Sequence, residues 1–425
     1  MTAPTFTALF LAFTALSLAF GVWLSLRHIA HVARHRDAVP AEFADAISLA
    51  AHQKAADYTL DKQRFGLTEE VLGVIVLLAL TLGGGLAWLF SLTDGVTGNV
   101  YANGIAFIAA LAVVTGVLGL PFDVYRTFVI EARHGFNKTT FGTYVADAVK
   151  GWLLAIVIGG PLLLATLWLM ERMGGLWWLY VWMVWTGFSL LMIAVYPTFI
   201  APLFNKFQPM EDASLKVRIE ALLAKCGFQA KGLFVMDGSK RSAHGNAYFT
   251  GLGKSKQIVF FDTLMARLSV EEIEAVLAHE LGHFKRKHIV KRLIAMFASS
   301  FVMLALMGWV IDKPWFYEGL GMTAGMQQTG TPAVAVSLVL FFTVLPVFTF
   351  WMTPLSSLVS RKHEFEADAY AAEQTNARDL ISALVKLYRD NASTLTPDPL
   401  HSAVYDSHPP ASIRIAHLQS LAPTP

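Results

Sequence analysis

The sequence predicts an all-α-dominated polytopic membrane protein with a small α+β unit set outside the bilayer. Three observations carry that prediction. Of the 425 residues, 55% are hydrophobic and 15% charged, with a mean hydropathy of +0.51, too apolar for an ordinary soluble chain of this length. Seven stretches lack Asp, Glu, Lys and Arg, and each is long enough to cross the hydrocarbon as a helix rising about 1.5 Å per residue. Between the fifth and sixth stretches a long charged insertion shows strand and then helix periodicity. The net charge of +2 gives no case for nucleic acid as a partner, because no basic run is interleaved with stacking aromatics. One cysteine, Cys226, rules out an internal disulfide framework and any multi-cysteine metal site, and is expected to pack as a small side chain.

The first stretch, 6–26, has no basic region before it and no small-residue cleavage site after it, so it reads as an uncleaved anchor. The others are 71–90, 100–120, 152–170, 176–196, 293–311 and 333–353. Lys and Arg alternate between loops. Arg27, Arg34, Arg36, Lys54, Lys62 and Arg64 follow the first span, and none surrounds Asp94. Arg126, Arg133, Lys138 and Lys150 follow the third, whereas the next turn has Arg172 alone and the last loop Lys313. The basic loops and the C-terminus are therefore expected in the cytoplasm and the N-terminus outside. The histidines from His28 to His35 read as part of a solvated basic anchor. Four regions follow: 1–200 with five spans, 201–292 as the cytoplasmic insertion, 293–353 with spans six and seven, and 354–425 as cytoplasmic helices. Pro and Gly cluster only in the loop 319–332 and the tail 396–425.

Within the insertion, 232–236, 246–250 and 257–261 read as short strands, separated by turns at Asp237-Gly238-Ser239 and Gly251-Leu252-Gly253-Lys254. An edge strand can hold an extended peptide by main-chain hydrogen bonds, and equally such a sheet can simply pack on a helix. Ser269 then reads as an N-cap with Glu272 as its capping-box partner, and Ile273, Val276, Leu277 and Leu281 recur at helical spacing. On that helix lies His279-Glu280-Leu281-Gly282-His283. The two histidines stand one turn apart on one face, about 6 Å along the axis, and can share one zinc ion. Glu280 can then act as general base on a water in the metal's open position.

A catalytic zinc of this kind needs a third protein ligand. After the seventh span, Ser360-Arg361-Lys362-His363-Glu364-Phe365-Glu366-Ala367-Asp368 is helical in pattern, with Glu364 and Asp368 one turn apart. Glu364 can complete a His-His-Glu set, and Asp368 can accept the ring N–H of a ligating histidine. Two expected crossings between His283 and Glu364 return the chain to the same side of the membrane. The same stretch also reads as a solvated acidic helix face. His408-Pro409-Pro410 reads either as a rigid extended segment that steadies an imidazole or as a helix start before Ile413 and Leu418.

HELGH, the 360–368 pattern, Ser239-Lys240-Arg241-Ser242 leading into Asn246-Ala247-Tyr248-Phe249, and Ser407-His408-Pro409-Pro410 with Arg414 together resemble the type I CAAX prenyl proteases. The resemblance covers most of the chain and is most specific from 197 to 415. It implies a seven-helix barrel around a water-filled chamber, closed on the cytoplasmic side by a zincin-like domain. It also implies that His279, His283 and Glu364 hold one Zn2+ per chain, with Glu280 as base. By the same resemblance Asn246 holds the substrate backbone, His408 donates to the developing oxyanion, and Arg414 lies near the scissile region or the substrate's carboxylate.

The function expected is zinc-dependent peptide-bond hydrolysis in the membrane, with removal of the C-terminal tripeptide from prenylated CAAX proteins or peptides. The alternative enzyme is an HtpX-like quality-control protease, a group with the same zinc motifs but usually four spans. A transporter or scaffold with structural zinc fits less well. The seven stretches lack the ionisable residues that transport pathways carry, and a structural site would close its fourth position. The host membrane is the inner membrane if the source is bacterial and the endoplasmic reticulum if it is eukaryotic.

Overall fold

The apolar stretches fold into helices that run well past their hydrophobic limits. A computed structural model describes residues 1–229, 232–250, 257–322 and 333–421. The expected turn at 251–254, most of the 319–332 loop and the tail beyond 421 lie outside the described residues. Five helical segments are long and apolar enough to cross a membrane: Ala3–Arg34, Val100–Glu131, Phe141–Arg172, Gly174–Phe204 and His288–Val310. Val113, Val117, Leu191 and Phe199 stand exposed on them, as lipid-facing side chains do.

The stretches 71–90 and 333–353 are not straight helices. The first straddles a 56° bend between Leu49–Leu80 and Gly85–Thr93. Gly84 sits at the break with φ +78°, where a Cβ would be disfavoured. The second straddles a 68° bend between Val334–Thr349 and Met352–Gln374. There Pro354 lacks the N–H that would bond back to the carbonyl of Phe350. Hydropathy registers both as apolar runs and is blind to the bends.

The basic segment after the first span is solvated at Arg27, Arg34 and His35, and the sequence reading is corrected at His28. It stays helical to Arg34, and His28 is buried rather than solvated. The His28 ring stacks on His401 at 4.0 Å, and Arg27 pairs with buried Asp398 at 2.9 Å. This helix end thus docks on the helix Pro399–Tyr405. Cys226 is buried, as expected.

The α+β unit holds a four-stranded sheet in the order β1-β2-β4-β3, comprising Phe207–Pro209, Gly232–Met236, Gln257–Phe261 and Ala247–Thr250 respectively. β2 and β4 run parallel, and β1 and β3 pair antiparallel on the outside. β3 is therefore an edge strand. β1 was absent from the sequence reading because three residues ending in proline carry no alternation to read. Beneath the sheet, Phe260, Ile219, Leu277, Leu281 and Leu380 form one core, while Phe10, Phe107, Met307 and Leu340 belong to a second among the membrane helices.

The helix Val270–Lys285 starts with the capping box read from the sequence. Ser269 N–H donates to Glu272 Oε2 at 2.7 Å, and Glu272 N–H donates to Ser269 Oγ at 3.3 Å. This helix lies against Met352–Gln374, and Gly282 makes the contact close. A Cβ at Gly282 would stand 2.9 Å from Ala367 Cα and 3.0 Å from Ala367 O. Ala367 lies between Glu364 and Asp368, so the missing side chain brings the two acids to the histidines.

Candidate metal centre

His279 Nε2, His283 Nε2 and a carboxylate oxygen of Glu364 converge. The two nitrogens are 3.2 Å apart, His279 Nε2 is 3.5 Å from Glu364 Oε2, and His283 Nε2 is 3.4 Å from Glu364 Oε1. Among the described residues this is the one group of three or more His, Cys, Asp or Glu whose donor atoms all lie within 4.8 Å of one another. A tetrahedral centre with bonds of about 2.0–2.2 Å holds its ligand atoms about 3.3–3.5 Å apart, so the spacing fits one small cation. Glu364 is buried, and its Oε2 makes no hydrogen bond among the described residues. An orphaned Oε2 facing His279 Nε2, with Oε1 of the same carboxylate facing His283 Nε2, is what a metal would satisfy.

The charges around the site oppose each other. Burial disfavours the charged form of His279, but Asp368 and Glu364 outweigh it and raise its pKa. His283 is lowered, by burial first and then by charge on His279. Positive charge is thus favoured at His279 and disfavoured at His283, and the acids favour a cation between the two rings. Glu280 is raised, chiefly by burial, with the charge of Glu364 adding to it.

Asp368 stands behind the set. Its Oδ1 accepts from His279 Nδ1–H at 2.8 Å, which leaves Nε2 as a lone-pair donor. Arg414, also buried, forks onto the same carboxylate with Nε to Oδ2 at 2.8 Å and Nη2 to Oδ1 at 2.5 Å. Burial would raise Asp368, but His279 and Arg414 hold it well below the usual carboxylate range. Arg414 therefore has its guanidinium committed to Asp368, with Nη1 at 3.5 Å from Glu364 Oε2.

Asn246, His279, Glu280, Glu364, His408 and Arg414 line one cleft of about 370 Å³. Asn246 lies immediately before edge strand β3, and its carbonyl accepts from Phe261 N–H at 3.0 Å. His408 lies at a bend, and Pro409-Pro410 lead from it directly into the helix Ala411–Leu421, as the helix-start reading expects. Its Nε2 is 3.5 Å from Glu364 Oε1, and 61% of the side chain is exposed. Two cleft residues escaped the sequence reading. Asn391 Oδ1 accepts from Gly245 N–H at 3.0 Å and so pins the approach to β3, and Tyr388 OH donates to Pro409 O at 3.3 Å beside His408. Both lie on Ala377–Asp390 or just after it, where nothing in the pattern separates them from an amphipathic helix.

A histidine pair and a glutamate converging beside a second carboxylate, on a body of membrane-length helices, define an integral, multi-pass membrane metallopeptidase. Known proteins narrow the class. Residues 28–206 match the model described as CAAX prenyl protease N-terminal, five membrane helices, and residues 209–422 match peptidase family M48. The chain is 36% identical over 405 residues to the CAAX prenyl protease 1 homolog of Arabidopsis thaliana, covering 93% of each chain. It is 31% identical to the human CAAX prenyl protease 1 homolog, over 90% of this chain and 89% of that one. The crystal structure of S. mikatae Ste24p superposes with a TM-score of 0.90 at 31% identity, covering 97% of this chain and 99% of that one. The chain belongs to the CAAX prenyl protease family of M48 metallopeptidases, and it has their membrane-embedded chamber fold.

Proposed function

We propose that the protein is a zinc endopeptidase that removes the C-terminal tripeptide from prenylated CAAX proteins or peptides. The observation that carries this is the convergence of His279 Nε2, His283 Nε2 and Glu364 at 3.2–3.5 Å beside Glu280, in a cleft bordered by an edge strand. His279, His283 and Glu364 are the ligands of one zinc per chain. Zinc bound there supplies Lewis acidity, which lowers the pKa of a water to about 7 and polarises a carbonyl.

The chain's own groups supply the remaining steps. Glu280, its pKa raised by burial, takes a proton from the attacking water and returns it to the leaving nitrogen. His408, exposed into the cleft, donates to the oxyanion that develops on the scissile carbonyl. Asn246 and β3 hold the substrate backbone extended. Asp368 fixes the His279 tautomer, and Arg414 holds Asp368 in place. The commitment of Arg414 to Asp368 favours this supporting role over contact with a substrate carboxylate.

The two bent pairs each count as one span, which makes seven, with the N-terminus outside and the C-terminus and zinc unit in the cytoplasm. The division at 200/201, 292/293 and 353/354 follows from that count. An HtpX-like quality-control protease is the second reading. The match to the CAAX prenyl protease N-terminal region over 28–206 favours the first. The experiment is cleavage of a farnesylated CAAX peptide beside its unprenylated twin by detergent-purified protein, with products weighed by mass spectrometry. Release of the terminal tripeptide, faster from the lipidated peptide, is expected. Cleavage of unfolded membrane proteins with neither peptide cut would favour the HtpX-like reading.

A further inference from the structure

His279 has Asp368 behind it, and the structure offers an equivalent device for His283 from a residue outside the HELGH motif. The HELGH helix ends at Lys285, and Lys287 takes φ +58°, in the left-handed region that non-glycine residues rarely occupy. That turn starts the helix His288–Val310 and brings the His288 ring back over His283. His288 is fully buried. Its Nδ1 lies 3.0 Å from His283 Nδ1, and its Nε2 lies 2.9 Å from Glu366 Oε2. Its other face stacks on the His363 ring at 3.9 Å.

The carboxylate decides the direction of the chain. Glu366 only accepts, so His288 Nε2 carries the hydrogen. A neutral His288 then has its lone pair on Nδ1 and accepts from His283 Nδ1–H. His283 is left with its lone pair on Nε2, the atom 3.2 Å from His279 Nε2 and 3.4 Å from Glu364. We propose that His288, anchored by Glu366, is the positioning residue that fixes the tautomer and ring orientation of His283 for the metal. The ligand set then has a hydrogen-bonded carboxylate behind each histidine, direct at His279 and relayed through an imidazole at His283.

This inference rests on His283 being a ligand. The experiment measures zinc dissociation constants by competition with a chelator, together with the visible spectrum of the Co2+-substituted protein, on full-length detergent-purified chains. His288→Phe keeps a ring to stack on His363 but removes the acceptor. It is expected to weaken zinc binding about 10–100-fold and to alter the Co2+ spectrum. His288→Asn keeps an acceptor near the Nδ1 position and is expected to recover much of that loss. Glu366→Ala, at a side chain 30% exposed, tests the far end without disturbing the core and is expected to weaken zinc binding in the same direction.

His283→Ala and wild type run alongside. Should wild type bind no zinc, or His283→Ala bind it as tightly, the ligand assignment falls and this inference with it. Where wild type binds and His283→Ala does not, the assignment stands and the other variants decide. Wild-type affinity and an unchanged Co2+ spectrum in both His288→Phe and Glu366→Ala would overturn the role given to His288.

Discussion

At Arg414 a single side chain is asked to do one of two things. The family resemblance places it near the substrate, whereas the structure buries it and forks it onto Asp368. Removing one partner of a buried pair leaves the other charge uncompensated, which costs about 3–5 kcal/mol. Arg414→Met should therefore lower the thermal midpoint markedly and weaken metal retention together. A variant with wild-type melting and metal content but a raised KM would assign Arg414 to the substrate instead. The candidate site residues read from local spacing were His279, Glu280 and His283 on one helix turn and Glu364 and Asp368 on another, whereas Asn246, His408 and Arg414 came from the family resemblance. His288 was not legible, because helical periodicity presumes a continuous helix and the left-handed Lys287 breaks it. Asn391 and Tyr388 were illegible for another reason, since their partners are backbone atoms of distant segments.

Two elements, the HELGH helix and the helix of Glu364, hold the proposed ligands 3.2–3.5 Å apart, and Gly282 sets their separation. Gly282→Ala would drive a methyl into the Ala367 backbone, so the helices must part. The expected cost is about 1–3 kcal/mol of stability, with zinc affinity reduced because Glu364 moves from His283. Unchanged melting and zinc content in that variant would contradict the close approach. The start of the HELGH helix carries a pH dependence. Burial would raise Glu272, but Lys386 at 2.8 Å and Ser382 at 2.6 Å outweigh it and hold it below its usual 4.5. A depressed carboxylate stabilises above its unfolded pKa, and that contribution is lost as pH falls through the folded value. The gap in melting temperature between wild type and Glu272→Gln should therefore persist from pH 7 to about 4.5 and shrink below it. A gap constant down to pH 3.5 would exclude this ion pair as its source. The capping box and three of the four strands were legible because local spacing specifies them. β1 and both helix bends were not, since a three-residue strand has no period and the bends depend on Gly84 and Pro354 within otherwise uniform apolar runs.

Across the whole molecule, the count of spans decides where the zinc unit sits. Five membrane-length helical segments and two bent pairs give five to seven crossings among the described residues, and the alternation of basic loops supports seven. With Cys226→Ser as background, a membrane-impermeant maleimide should label Asp94→Cys from outside in intact cells. Lys138→Cys should react only after permeabilisation. The reverse pattern would invert the orientation, and labelling of both from outside would exclude a crossing at 100–120. The measurement that bears most directly on function puts metal and catalysis on one sample. Wild type and Glu280→Gln are purified in parallel, their zinc counted by mass spectrometry, and their release of tripeptide from a farnesylated CAAX peptide timed. About one zinc per chain is expected in both. Cleavage by Glu280→Gln should fall about 10²–10⁴-fold. A zinc-replete Glu280→Gln with near wild-type turnover would contradict the central claim that this carboxylate activates the attacking water.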